Sequence, residues 1–170
     1  EEVSGFSLSD IQVINGSAGN LSEITSGKEW TAIISPSSNG TVSVSISSNV
    51  ASDAAGNQNN ASNILELEYD ATPPDVTISS TEPDPTNSGS FQADIQFTET
   101  VSGFTSGDIN ITNASVSGLS TTDSTLFVAD ITPSADTTIT VQVPTTVAFD
   151  SAGNGNNLSN EFSIVYDATK

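Results

Sequence analysis

The octapeptide "DAAGNQNN" at residues 53–60 returns, almost unchanged, as "DSAGNGNN" at residues 150–157. From Asp53 to Asp150 the step is 150 − 53 = 97 residues. The same step carries "ISP" (Ile34–Pro36) onto "ITP" (Ile131–Pro133), and "YDAT" (Tyr69–Thr72) onto "YDAT" (Tyr166–Thr169). "VSGF" at 3–6 and 101–104, and the pair Asp10-Ile11 with Asp108-Ile109, recur at a step of 98, so one single-residue indel separates the halves. A fixed-period repeat restricts the chain to two copies of one module. The copies are unequal. Before "VSGF" the second copy has the stretch Asp75–Thr100, with two strand-like runs; Glu1 aligns with Glu99, so the part of that stretch ahead of Glu99 has no counterpart in the first. The expected division is an incomplete module over residues 1–72, lacking its two opening strands, and a complete module over 73–170. The opening segment of the first module is expected either to have been cut away or to come from elsewhere.

Within the complete copy the apolar residues alternate. "SFQADIQF" sets Phe91, Ala93, Ile95 and Phe97 on one face, "TTITVQVP" sets Ile139, Val141 and Val143, and "EFSIVYD" sets Phe162, Ile164 and Tyr166. The runs "DVTIS", "DINIT" and "TLFVADITP" complete six strands, with residues 114–119 left as an ill-defined crossing segment. The first copy repeats the pattern with Val42, Val44 and Ile46, then Leu65, Leu67 and Tyr69, all expected to point inward. Period-2 alternation between Gly-, Asn- and Ser-rich turns, with no helical period, predicts an all-β fold. Modules of this length fit immunoglobulin-like β-sandwiches. Two of them are expected end to end, joined at "ATPPD" (Ala71–Asp75), where Pro73 and Pro74 favour an extended connection. Trp30 aligns with Phe127 and is expected to pack in the core.

Charge narrows the function. Asp and Glu number 21 against two basic residues, giving a formal net charge of −19. Such a chain cannot neutralise phosphates, so nucleic acid is excluded as a partner, and so is attraction to an anionic membrane surface; with no long apolar run, membrane insertion is not expected. With no Cys and no His, disulfides, zinc–thiolate sites, thiol nucleophiles and imidazole acid–base chemistry are excluded too. No apolar cleft is signalled around paired carboxylates, and the chain reads as a non-enzyme.

In a seven-strand sandwich with alternating strand directions, the loop after the second strand, the repeated octapeptide loop and the incoming linker share one pole. That pole would gather Asp70, Glu99, Asp108, Asp150 and Asn154. Calcium takes six to eight oxygens from carboxylates, amides and backbone carbonyls, and converging carboxylates without a basic partner call for a cation. Glu99 and Asp150 are the expected anchors, joined by Asp70 from the preceding module, with Asn154 and Asp108 subordinate. Their first-copy equivalents are Glu1, Asp53, Asn57 and Asp10, where a missing linker predicts a weaker or empty site. The other reading stays open: D-x-A-G-N is also an Asx-turn closed by a left-handed glycine, with the carboxylate capping backbone N–H groups and binding nothing.

The ordered set "ETVSGFTSGDINITN", "ITP", "DSAGN" and "YDATPPD" resembles the bacterial Ig-like repeats of large secreted or surface-attached adhesins, the cadherin-like extender domains of RTX-type adhesins. That resemblance implies a tandem array outside the cell, with Ca²⁺ at or near module junctions and neighbouring modules as partners. It further implies that most repeats hold a terminal binding domain away from the surface. Two other functions compete. One is a self-assembling extracellular fibre subunit in which another copy of the chain supplies the missing strands. The other is a ligand-binding adhesin module, which would need an exposed aromatic platform or a long variable loop.

Overall fold

The computed structural model of the protein describes residues 1–169. Its backbone contacts divide the chain into two compact units, Glu1–Ala71 and a second from Thr72 on.

The first unit has five strands: β1 (Ile11–Ile14), β2 (Gly16–Thr25), β3 (Glu29–Pro36), β4 (Gly40–Ile46) and β5 (Leu65–Tyr69). They form a two-stranded sheet, β2–β3, and a three-stranded sheet in the order β1–β4–β5. The second unit has seven: β6 (Val76–Ser79), β7 (Phe91–Phe97), β8 (Asn110–Thr112), β9 (Ala114–Thr121), β10 (Leu126–Pro133), β11 (Thr138–Gln142) and β12 (Phe162–Val165). One of its sheets runs β6–β7–β10–β9 and the other β12–β11–β8, with every paired strand antiparallel. Two sheets of four and three strands are the seven-strand sandwich that the alternation predicted.

Alternation places the core. Phe91, Ala93, Ile95 and Phe97 of β7 are buried while Gln92 and Gln96 are exposed, and Ala129 and Ile131 of β10 lie opposite Ala93 and Phe91 in the ladder. From the facing sheet Ile139, Val141 and Ile164 close the core. Each fully buried aliphatic side chain contributes about 1.5–3 kcal/mol. Phe97, Phe104 and Phe127 pack edge to face, with ring centroids 5.1–5.7 Å apart.

The structure corrects the sequence reading in two places. Residues 114–119 are no ill-defined crossing; they belong to the regular strand β9, paired with β10 across a bulge at Asp130/Ile131. A Cβ at Gly118 would lie 2.7 Å from an Asp130 carboxylate oxygen, so a larger residue there would make that side chain shift. The second correction concerns β5. Leu65, Leu67 and Tyr69, expected inward, are exposed. Their face of the first unit has no counterpart of β6 and β7 to cover it, and the apolar groove there holds about 440 Å³. Trp30 lines this groove, half-buried against Phe6 at a ring-centroid distance of 5.1 Å.

Candidate functional site

The repeated octapeptide loop has the same internal wiring in both units. In the second, one oxygen of Asp150 accepts the backbone N–H groups of Ala152 (2.9 Å) and Asn154 (2.8 Å), and the other accepts Asn154 Nδ2 at 2.8 Å. Asp53 accepts from Ala55 N–H (2.9 Å), Asn57 N–H (2.8 Å) and Asn57 Nδ2 (2.8 Å). Gly153 and Gly56 turn the chain at φ of 91° and 86°, a region that disfavours side chains. So the Asx-turn geometry of D-x-A-G-N is present in both units.

A third residue of the loop escaped the sequence reading. Asn156 is almost fully buried. Its Oδ1 accepts the N–H groups of Val147 and Ala148 at 2.9 Å, and its Nδ2 donates to the carbonyls of Pro144 and Asn157. Asn59 makes the same four bonds in the first unit. Recurrence at the step of 97 was the signal that could have marked it.

What the turn presents is a carboxylate held ionised. Burial pushes the Asp150 pKa upward, but the hydrogen bonds from the Asn154 side chain and from the Asn154, Ala152 and Gly153 backbone outweigh it and leave the pKa below the ordinary value. In Asp53 the Asn57 side chain, then the Asn57 backbone, lower the pKa in the same way.

Glu99 reaches this carboxylate through a backbone clasp. Ser102 and Phe149 exchange N–H···O bonds of 2.8 and 2.9 Å, which lays the segment leaving β7 against the start of the loop. A carboxylate oxygen of Glu99 and one of Asp150 lie within 4.8 Å of each other. Both residues line a concavity of about 420 Å³ with Thr100, Val101, Ser102, Phe149 and Ser151. The incoming segment is anchored at the same loop: Asn157 donates its N–H to the Pro74 carbonyl at 2.9 Å and its Nδ2 to Asp75 at 2.7 Å.

The other expected ligands lie as follows. Asp108 closes a short 3₁₀ turn, its carboxylate accepting from Thr105 N–H (2.8 Å) and Oγ1 (2.7 Å). Asp10 does the same with Ser7, and neither joins a carboxylate cluster. Asn154 directs its Nδ2 to Asp150 as described. Asp70 accepts from Asn39 Nδ2 at 2.7 Å within the first unit. Glu1 is exposed, and its neighbour Glu2 pairs with Lys28 at 3.5 Å. Asn57 is exposed and bound to Asp53.

Hard oxygens are the right donors for Ca²⁺, and the Glu99–Asp150 pair fits it chemically. Two N–H groups occupy one Asp150 oxygen and a single one the other, so the oxygen bonded by Asn154 Nδ2 keeps a lone pair for a cation while the turn orients the carboxylate. Among the described residues, no helix is long and apolar enough to cross a membrane.

The family model for the bacterial Ig-like domain matches the chain twice, over residues 1–69 and 70–166. No curated protein and no solved structure matches it.

Proposed function

We propose, for a chain that belongs to the bacterial Ig-like domain family, the role of a stalk segment in a bacterial surface adhesin, stiffened by calcium. Domains of this family are typically non-catalytic and often lie outside the cell or on its surface. The observation that carries the calcium reading is the approach of Glu99 to Asp150 within 4.8 Å, in a sequence with no Lys or Arg between Lys28 and Lys170. Two carboxylates so placed repel each other unless a cation lies between them. Water and loop carbonyls complete such a shell. Asp70, expected from the sequence as a ligand from the preceding module, is the proposed third carboxylate.

Extracellular modules bind calcium at roughly 10⁻⁴–10⁻³ M, so the ion would load after export. The first unit is the weaker candidate, since Lys28 already supplies a positive charge beside Glu2. An extender needs a defined length. Small-angle scattering of the chain with calcium and with chelator tests this: a maximum dimension that lengthens or sharpens with calcium supports the role. A profile insensitive to calcium, or one that fits a side-by-side pair, counts against it.

A further inference from the structure

In the second unit β6 and β12 belong to different sheets, each at the edge of its own. β6 pairs in its ladder with β7, and β12 with β11. One side of the sandwich is therefore left for other bonds to close, and a row of them does so. Asn157 donates its N–H to the Pro74 carbonyl at 2.9 Å and its Nδ2 to Asp75 at 2.7 Å. Asn160 clamps Ile78, accepting its N–H at 2.7 Å and donating Nδ2 to its carbonyl at 3.0 Å. Asp84 accepts Val165 N–H at 2.9 Å. Thr86 then meets the other arm main chain to main chain: its N–H donates to the Val165 carbonyl and its carbonyl accepts Asp167 N–H, both at 2.9 Å.

These bonds keep a strict order. Residues 74, 78 and 84 on the first arm meet 157, 160 and 165 on the second, and Thr86 forms a parallel bridge with Tyr166. Both arms thus advance in the same direction along one seam. A side-chain amide offers a donor and an acceptor together, so Asn160 can stand in for a ladder partner where the two arms lie in different sheets. The far end of the seam is braced. Thr86 is buried, and its hydroxyl and that of Ser88 both donate to the Glu82 carboxylate.

Direction decides how such a seam fails. The chain enters the unit at the Asn157 end and leaves it at the Thr86 end. Tension on entry and exit drags the parallel arms past each other, so every rung is strained at once and the force is shared. Tension on two points beyond the same end opens the rungs one after another. We propose that this parallel seam between residues 74–86 and 157–167 is the force-bearing element of the second unit, the part that keeps its length when the chain is pulled. Its use rests on the stalk reading, whereas its resistance is a property of the unit itself and needs no calcium.

The test is single-molecule pulling on the full chain, in chelator. The sequence has no Cys, so introduced pairs give unique handles. Ala71→Cys with Ala168→Cys, both at exposed positions, loads the seam from opposite ends and leaves the first unit outside the load path. Gly89→Cys with Ala168→Cys loads it from one end, and nothing lies within 4 Å of a Cβ added at Gly89. Forced unfolding reports the unfolding barrier along the pulled direction. The 71–168 pair should rupture at a force at least about twofold higher than the 89–168 pair. Asn160→Ala should lower the 71–168 force. Ile131→Val, a core change in β10 outside both arms, should lower the melting temperature and leave that force unchanged. Equal rupture forces in the two directions would overturn the proposal. So would a 71–168 force that merely tracks melting temperature across the two variants. A calcium-insensitive melting temperature would sink the calcium reading and leave this result standing.

Discussion

Leu67 and Ile164 hold the same place in the repeat, 97 residues apart, yet Ile164 is 2% exposed and Leu67 is 69% exposed. The local sequences are alike, "LELEY" against "FSIVY", and both strands pair with the strand before them in the same antiparallel sense. The difference lies in what covers them. Burial here is set by strands remote in sequence, and the cost of truncating either residue should follow burial.

Ile164→Ala should lower the stability of the second unit by about 2–5 kcal/mol, the range for deleting a buried aliphatic side chain. Leu67→Ala should change that of the first unit by less than about 0.5 kcal/mol. Urea denaturation followed by hydrogen exchange separates the two. Comparable costs would show that the groove over β5 is closed in solution.

Asn156→Ala should cost the second unit at least about 1–3 kcal/mol, because it strands the N–H groups of Val147 and Ala148 without acceptors in a buried place. Gly153→Ala should cost about 1–2 kcal/mol through backbone strain alone, since φ is 91° there and nothing lies within 4 Å of the added methyl. Thermal melts of the two variants check both.

Acid should loosen the octapeptide loops. The pKa values of Asp150 and Asp53 are lowered in the folded chain from an ordinary value of 3.8. Depressed pKa values contribute stability that is present above the unfolded value and lost as pH falls through the folded one. Stability should therefore be flat from pH 7 to about 5 and decline below pH 4. Asp150→Asn should flatten part of that decline in the second unit. A melting temperature that falls between pH 7 and 5 would point to other groups.

Much of the fold was legible because the repeat and the alternation agree: Phe91 to Phe97 and Ile139 to Val143 face inward as their spacing requires. β9 was not. Its run "ASVSGLST" carries only Val116 and Leu119 as large apolar residues, and its pairing with β10 is interrupted by a bulge. At the site, the approach of Glu99 to Asp150 followed from strand order, since β7 and the octapeptide loop end at one pole. Asp10 and Asp108 look like ligands in sequence because an acid opening a strand is equally a 3₁₀ cap, and only the turn geometry distinguishes the two. The strand clamp of Asn160 could not be read at all, since its partner is the backbone of Ile78, 82 residues away.

The central claim is that the Glu99–Asp150 pair takes calcium. Its most direct test is the melting temperature of the chain in 10 mM calcium and in chelator, measured on the parent and on Glu99→Gln, which neutralises one carboxylate and leaves the Asp150 turn intact. With a dissociation constant of roughly 10⁻⁴–10⁻³ M, 10 mM calcium adds about 1.4–2.7 kcal/mol to the folded state. The account predicts a clear calcium-dependent rise in the parent that is largely lost in Glu99→Gln. The same melting temperature with and without calcium in the parent, or a rise that Glu99→Gln leaves untouched, would contradict it.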